Sequence, residues 1–427
     1  MSEKMPQDES DIDNLTRHLD ASVSPAHSVE YTAQRLQSSG FAESSFANMN
    51  EGLPAKGFIA DAGLLLAWNQ SDSPTQRFHI VGAHTDSPCL KVKPLPDAGS
   101  FNWKQIGVEV YGGILNNSWL DRDLGLAGRV VLEDGSVKTI RIDQAIARIP
   151  QLAIHLDRDV NERGLILDKQ IHLAPIWGLG QYRPGEFAEF IASSLAVSVH
   201  DIAFWDIALF DLTSASLLGA DRSLLASGRL DNQISCWAAT EGLIAASTNA
   251  NGEGTTSVIA LFDHEEVGSE STHGASGPRL AWLLKALHSG SQSQFHETLS
   301  RSHCISADNA HAIHPNYPDR HEPNHRPLPN MGPVLKVNAN QRYATSPESA
   351  AVFLQACYSA EVNHQVFVSK NSMPCGSTIG PITSTQLGIP TVDVGVAQLS
   401  MHSARELCGA EDPALLAKVL KHYFSVL

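Results

Sequence analysis

The chain has 427 residues, 42% hydrophobic and 18% charged, with 30 Lys and Arg against 46 Asp and Glu for a formal net charge of −16. That composition excludes a disordered chain and predicts one large domain plus a second, while the acidic balance argues against nucleic acid or an anionic membrane as partner. No window approaches the roughly 18 apolar residues of a membrane span. The polar N-terminus, residues 1–13, lacks a secretory core, and six scattered cysteines show no CxxC pair, so a cytoplasmic protein with reduced thiols is expected.

In chain order, residues 1–20 read as a frayed start or a capping helix. Ser24-Pro25 opens a helix, Ser at the cap and Pro at the first helical position. Val29, Ala33 and Leu36 share its inner face, and Gly40 closes it. Leu64–Trp68 and Phe78–Ala83 read as strands, the second delivering His84-Thr85-Asp86-Ser87-Pro88 at its end. Over 93–227 the texture changes to short alternating segments such as Val108–Tyr111 and Gly128–Leu132, divided by turns such as Asp134-Gly135-Ser136. Helical patterning is weak there until Pro184–Glu189. The segment is expected to be a β-rich inserted domain, interrupting an α/β domain built from 1–92 and 228–427.

After Arg229 an α/β rhythm resumes. Ile234–Ala246 reads as a helix, Ser257–Phe262 as a strand, Leu280–His288 as a helix and Cys304–Ala307 as a strand. Asn363–Val368 and Thr391–Val396 read as further strands, and Asp412–Tyr423 as the last helix. The alternation predicts an α/β fold with a mostly parallel sheet flanked by helices, whose site lies beyond the strand C-termini. His314–Pro329, rich in Pro, His and Asn, reads as a long loop of the kind that carries function.

The most informative segment is Asp263-His264-Glu265-Glu266-Val267-Gly268-Ser269, directly after an apolar strand. Adjacent carboxylates raise each other's pKa unless a cation lies near them. A metal ion supplies that cation, leaving one glutamate to bind it and its neighbour to face water as a base. A ligand-type residue recurs at four more such places: His84 in AHTDSP, Asp231 in GRLDNQ, Asp308 in SADNAHA and His402 in SMHSARE. Any one alone is more often a cap or a surface group. Together, two His and three carboxylates suit a pair of zinc-like ions roughly 3.5–4 Å apart.

These motifs, with AHTDSPCLKVKP, LFDHEEVGS, SADNAHAIHPNY and GPVLKVN, resemble the aspartyl aminopeptidase family of dinuclear zinc exopeptidases, in the family's order from His84 to Glu406. The resemblance implies a zinc exopeptidase-like α/β domain with an inserted dimerisation domain. It implies that Asp231 bridges two divalent ions, most often Zn2+ although such sites also accept Mn2+ or Co2+. His84 and Asp308 would hold one ion, Glu266 and His402 the other. Glu265 would be the general base, and Asp86 would fix the tautomer of His84.

His311, Lys336 and His155, with Glu265 and Asp308, would contact substrate; His155 would do so in a neighbouring subunit. His314 would serve assembly. Lys336, a cation among acids, suits an acidic substrate side chain, so the expected substrates are peptides with N-terminal Asp or Glu. Self-association into dimers, and in the family dodecamers, is also implied. A preference for neutral residues, and a related carboxypeptidase or N-deacylase with the same metal cage, remain as alternatives. A non-catalytic scaffold would have no need of Glu265.

Overall fold

The structure, a computed structural model, describes residues 10–248 and 252–426. The strand Thr255–Phe262, which ends in the apolar run Val258–Phe262, is buried at every position. Successive side chains point to opposite faces. Ile259 and Leu261 enter one core, while Val258, Ala260 and Phe262 enter another.

This strand lies beside the central strand of a nine-stranded sheet. The order is Ala42–Ser44, Lys56–Asp61, Leu64–Asn69, Thr255–Phe262, Arg77–His84, His303–Ala307, Thr391–Gly395, Val334–Val337, Gln365–Val368. The four strands from Thr255–Phe262 to Thr391–Gly395 run parallel, as do both edge pairs, and antiparallel pairings join the two groups to the centre. The mostly parallel sheet expected from the α/β rhythm is present. Leu230–Ala246, Asp412–Val426, Pro347–Ser359 and the two N-terminal helices cover one face. Arg279–Leu287, Gln292–Ser300 and Ile379–Leu387 cover the other.

Local chemistry sets the predicted boundaries. Ser24 caps helix Pro25–Ser38 by accepting the His27 N–H, and Gly40 at φ +85° lets the Phe41 N–H reach Leu36 O at 3.1 Å. Of the predicted start, Asp11–Ala21 is a helix capped by Ser10, and residues 1–9 lie outside the described residues. Among the described residues, four α-helices are additional to those predicted: the single turn Val160–Arg163, Gln292–Ser300, Pro347–Ser359 and Ile379–Leu387.

A six-stranded, wholly antiparallel sheet holds Cys89–Ser100, Trp103–Tyr111, Leu124–Leu132, Val137–Ala147, Ile176–Leu179 and Ile202–Asp211. It packs on helix Glu186–Leu195 around its own core. Texture groups residues 216–227 with this insert, but their strands Ser216–Leu218 and Leu224–Ser227 pair with each other and, through Leu224–Ser227, with Glu406–Gly409. Ala397–Leu399 and Ala310–His311 complete that third sheet. The six cysteines are free. Among the described residues, no helix is long and apolar enough to cross a membrane.

Candidate metal centre

In the parallel register Phe262 lies beside His84, and Ala307 beside Val394. Residues 84–86, 263–266 and 308–309 therefore leave the sheet at one edge, where such folds place their sites. Asp231 stands at the start of helix Leu230–Ala246, where the backbone at Asp231 and Asn232 is not helical. His402 follows strand Ala397–Leu399, in a loop that holds it at φ +68°.

The side chains converge on Asp231. His84 Nε2 is 3.4 Å from Asp231 Oδ1 and 3.7 Å from Asp308 Oδ1. His402 Nε2 is 3.4 Å from Asp231 Oδ2 and 3.3 Å from Glu266 Oε2. The two oxygens of Asp231 thus face two different sets of groups, His84 with Asp308 and His402 with Glu266.

The donor set fits a divalent metal. Atoms of His84, Asp231 and Glu266 lie within 4.8 Å of one another. Asp231 Oδ1 and Glu266 Oε1 are buried without a hydrogen-bond partner. Buried carboxylate oxygens in that condition are costly, and a cation taken by His and carboxylate donors relieves the cost.

Each imidazole is held for the purpose. His84 Nδ1 is 3.1 Å from the Asp86 carbonyl, and His402 Nδ1 is 3.1 Å from the Gly113 carbonyl. A ring that donates from Nδ1 presents a bare Nε2, and both Nε2 atoms face Asp231.

Without a cation the acids repel. Burial, reinforced by Asp308, Glu266 and Asp86, pushes Glu265 up to about 8 despite the opposing pull of His84. Burial, with Asp231 beside it, pushes Glu266 up to about 7. Burial opposes the charge of His402, but pairing with Asp231 and Glu266 outweighs it and raises the ring to about 11. A bound cation inverts this local logic.

Asp86 does more than the sequence suggests. Its Oδ1 is 3.3 Å from His84 Nδ1. The carboxylate also accepts the amide N–H groups of Glu265 and Glu266, each at 3.1 Å, and the Tyr111 hydroxyl at 2.8 Å. It therefore fixes the backbone turn that carries both glutamates.

Glu406 escapes sequence reasoning. Its carboxylate accepts the N–H of Asp231 at 2.9 Å and of His402 at 2.7 Å, tying the start of helix Leu230–Ala246 to the His402 loop. The only local signal is its place four residues after His402 in SMHSARE.

Glu265, Glu266, Asp308, His311 and Lys336 line one open cleft of about 490 Å³ with His84, Asp231 and His402. Lys336 is 1% exposed, so it does not snorkel. Its Nζ is 3.4 Å from Asp308 Oδ2, 3.3 Å from Asn309 O and 5.0 Å from the Tyr343 ring centre. His311 stands at the rim, 5.9 Å from the Phe367 ring. His314 meets the Tyr317 ring edge-on, and its backbone N–H donates to His321. His155 lies in the exposed turn Ile154–Leu156 of the insert, away from this chain's own cleft.

A sequence profile for aminopeptidase I zinc metalloproteases (M18) matches residues 18–424. A probable M18 family aminopeptidase 2 of Streptomyces avermitilis is 48% identical over 98% of this chain and 99% of its own. A structure described as the Ape4 and Nbr1 complex superposes with a TM-score of 0.92 at 33% identity, over 97% of this chain and 85% of that one. One described as the S. cerevisiae mApe1 dodecamer does so at 0.84 and 25% identity, over 97% and 96%. With the convergent His and carboxylate donors, these likenesses establish the chain as a member of the M18 family of zinc metalloproteases, an aminopeptidase by class.

Proposed function

We propose that this chain releases N-terminal residues, Asp and Glu by preference, from peptides, with Glu265 as general base beside two divalent ions. The observation that carries the reading is the division of Asp231: one oxygen toward His84 and Asp308, the other toward His402 and Glu266. In this reading His84 and Asp308 hold one ion, His402 and Glu266 the other, and Asp231 both. When bound, the ions polarise the scissile carbonyl and acidify water.

The residues of the chain do the rest. Glu265 stands in the cleft with a raised proton affinity and takes the proton of the attacking water, then returns it to the leaving amine. Asp86 holds the backbone from which Glu265 and Glu266 project. Carboxylates of the cluster receive the free α-amine of the substrate, which confines cleavage to the first residue. Lys336 supports acidic preference, because it is the buried cation of the cleft.

Self-association belongs to the same reading. The segment that carries His155 exposes Leu156 at 75%, Ile166 at 79% and Ile171 at 69%. Large exposed apolar side chains support an interface here, and a structural neighbour is described as a dodecamer. A second copy seated here would carry His155 toward its neighbour's cleft.

The test pairs Glu265→Gln with a panel of aminoacyl anilides, N-acylated anilides and C-terminal substrates. The variant is expected to keep its metal and assembly while kcat on Asp-anilide falls by about 10³-fold, within the range for loss of a general base. Turnover persisting in Glu265→Gln overturns the base assignment. Hydrolysis confined to N-acylated or C-terminal substrates overturns the N-terminal reading.

A further inference from the structure

We propose that the Tyr111-Gly112-Gly113 turn of the insert is a positioning element for the reaction, acting on the glutamates through Asp86 and directly on His402. The inference rests on the roles assigned above to Glu265, Glu266 and His402.

Strand Trp103–Tyr111 ends against the cluster. The Tyr111 hydroxyl donates to Asp86 Oδ2 at 2.8 Å, and Asp86 in turn accepts the N–H of Glu265 and of Glu266. The Tyr111 ring is held from its other side by Lys91, whose Nζ stands 4.5 Å from the ring centre and 2.8 Å from Asp206 Oδ1. One hydroxyl thus reaches the base and a metal-ligand candidate through a single carboxylate.

The next two residues must be small. Gly112 has φ +70°, and a Cβ there would lie 3.2 Å from Glu266 Cβ. A Cβ on Gly113 would lie 3.3 Å from His402 Nδ1, the atom its own carbonyl holds at 3.1 Å. The strap continues: the Leu115 N–H donates to His402 O at 3.0 Å, and the Ala404 N–H donates to Ser118 Oγ at 2.9 Å. His402 therefore keeps its left-handed backbone between Glu406 on one side and the insert on the other.

Simple docking of two domains would place such contacts anywhere along the junction. These contacts end on the base-bearing turn and on a metal-facing imidazole, so small changes here are expected to move catalysis more than folding.

The test uses the full-length, metal-loaded protein with three variants: Tyr111→Phe, Gly113→Ala and Glu265→Gln. The readouts are kcat and KM on Asp-anilide per folded molecule, Zn2+ affinity by chelator competition, thermal midpoint and assembly size. Tyr111→Phe is expected to lower kcat about 10-fold, with KM and Zn2+ affinity within about twofold. Gly113→Ala is expected to weaken Zn2+ affinity by about 10-fold. Midpoint and assembly should stay near wild type in both. Wild-type kcat in Tyr111→Phe with wild-type Zn2+ affinity in Gly113→Ala overturns the inference, as do losses that track only the thermal midpoint. A dead Glu265→Gln beside a fully active Tyr111→Phe and wild-type Zn2+ affinity in Gly113→Ala sinks this inference alone, whereas an active Glu265→Gln sinks the function on which it rests.

Discussion

Lys336 shows how much one side chain decides. It is buried, and its ammonium lies 3.4 Å from Asp308 Oδ2, so it is partly spent on a metal-ligand candidate before any substrate arrives. A substrate carboxylate would have to share it. Lys336→Met should therefore lower kcat/KM for Asp-anilide by roughly 10- to 100-fold, the worth of a charge-assisted hydrogen bond, while Leu-anilide loses far less. Equal losses on both substrates would assign Lys336 to the support of Asp308 and leave acidic preference without a residue. At this scale the sequence is legible where a ligand-type residue follows an apolar strand, as at His84, Glu266 and Asp308. It is silent where the partner is a distant backbone N–H. Glu406 binds the amide of a residue 175 positions away, and no local pattern records that. Tyr111 is hidden as well, its partner being the Asp86 carboxylate ahead of the other strand of its hairpin.

Between elements, the polar contacts of the core carry their own pH dependence. His18, on helix Asp11–Ala21, lies 3.1 Å from Gln233 Oε1 on helix Leu230–Ala246. His79, on the central strand Arg77–His84, lies 3.1 Å from Tyr423 O and stacks on that ring. Burial lowers both from the usual 6.5 to about 4. The unfolded chain then binds protons that the folded chain refuses. Stability is complete above pH 6.5 and is lost as pH falls toward 4, by up to roughly 3 kcal/mol for each ring. Thermal midpoints measured from pH 7.5 to 5 should fall, and His18→Gln with His79→Gln should flatten the slope. An unchanged slope in the double variant would contradict this. The elements that periodicity reveals are those with a broad apolar stripe. Gln292–Ser300 buries only Phe295 and Thr298, and Ile379–Leu387 carries Gly380 and Pro381 in its first turn. Such helices are formed by packing on the sheet, and their sequences alone do not ask for them.

For the whole molecule, the alternation of strand and helix after Arg229 made the parallel sheet legible, while strand partners did not follow from texture. Leu224–Ser227 lies within the stretch read as insert yet pairs with Glu406–Gly409, because pairing is a matter of topology. The proposed interface is likewise unwritten in any motif, and the case for it here is the exposure of Leu156, Ile166 and Ile171. Leu156→Glu combined with Ile166→Glu should shift the protein to smaller species in light scattering, and activity per chain should fall with it if His155 serves a neighbour's cleft. Full activity in the dissociated species would remove His155 from the site. The central claim, that His84, Asp231, Glu266, Asp308 and His402 cage two ions beside Glu265, is tested most directly by metal titration of chelator-stripped protein. Turnover of Asp-anilide should vanish on stripping and return with Zn2+, reaching its full value at two ions per chain. Hydrolysis at an undiminished rate in the stripped protein, or full activity at one ion per chain, would contradict it.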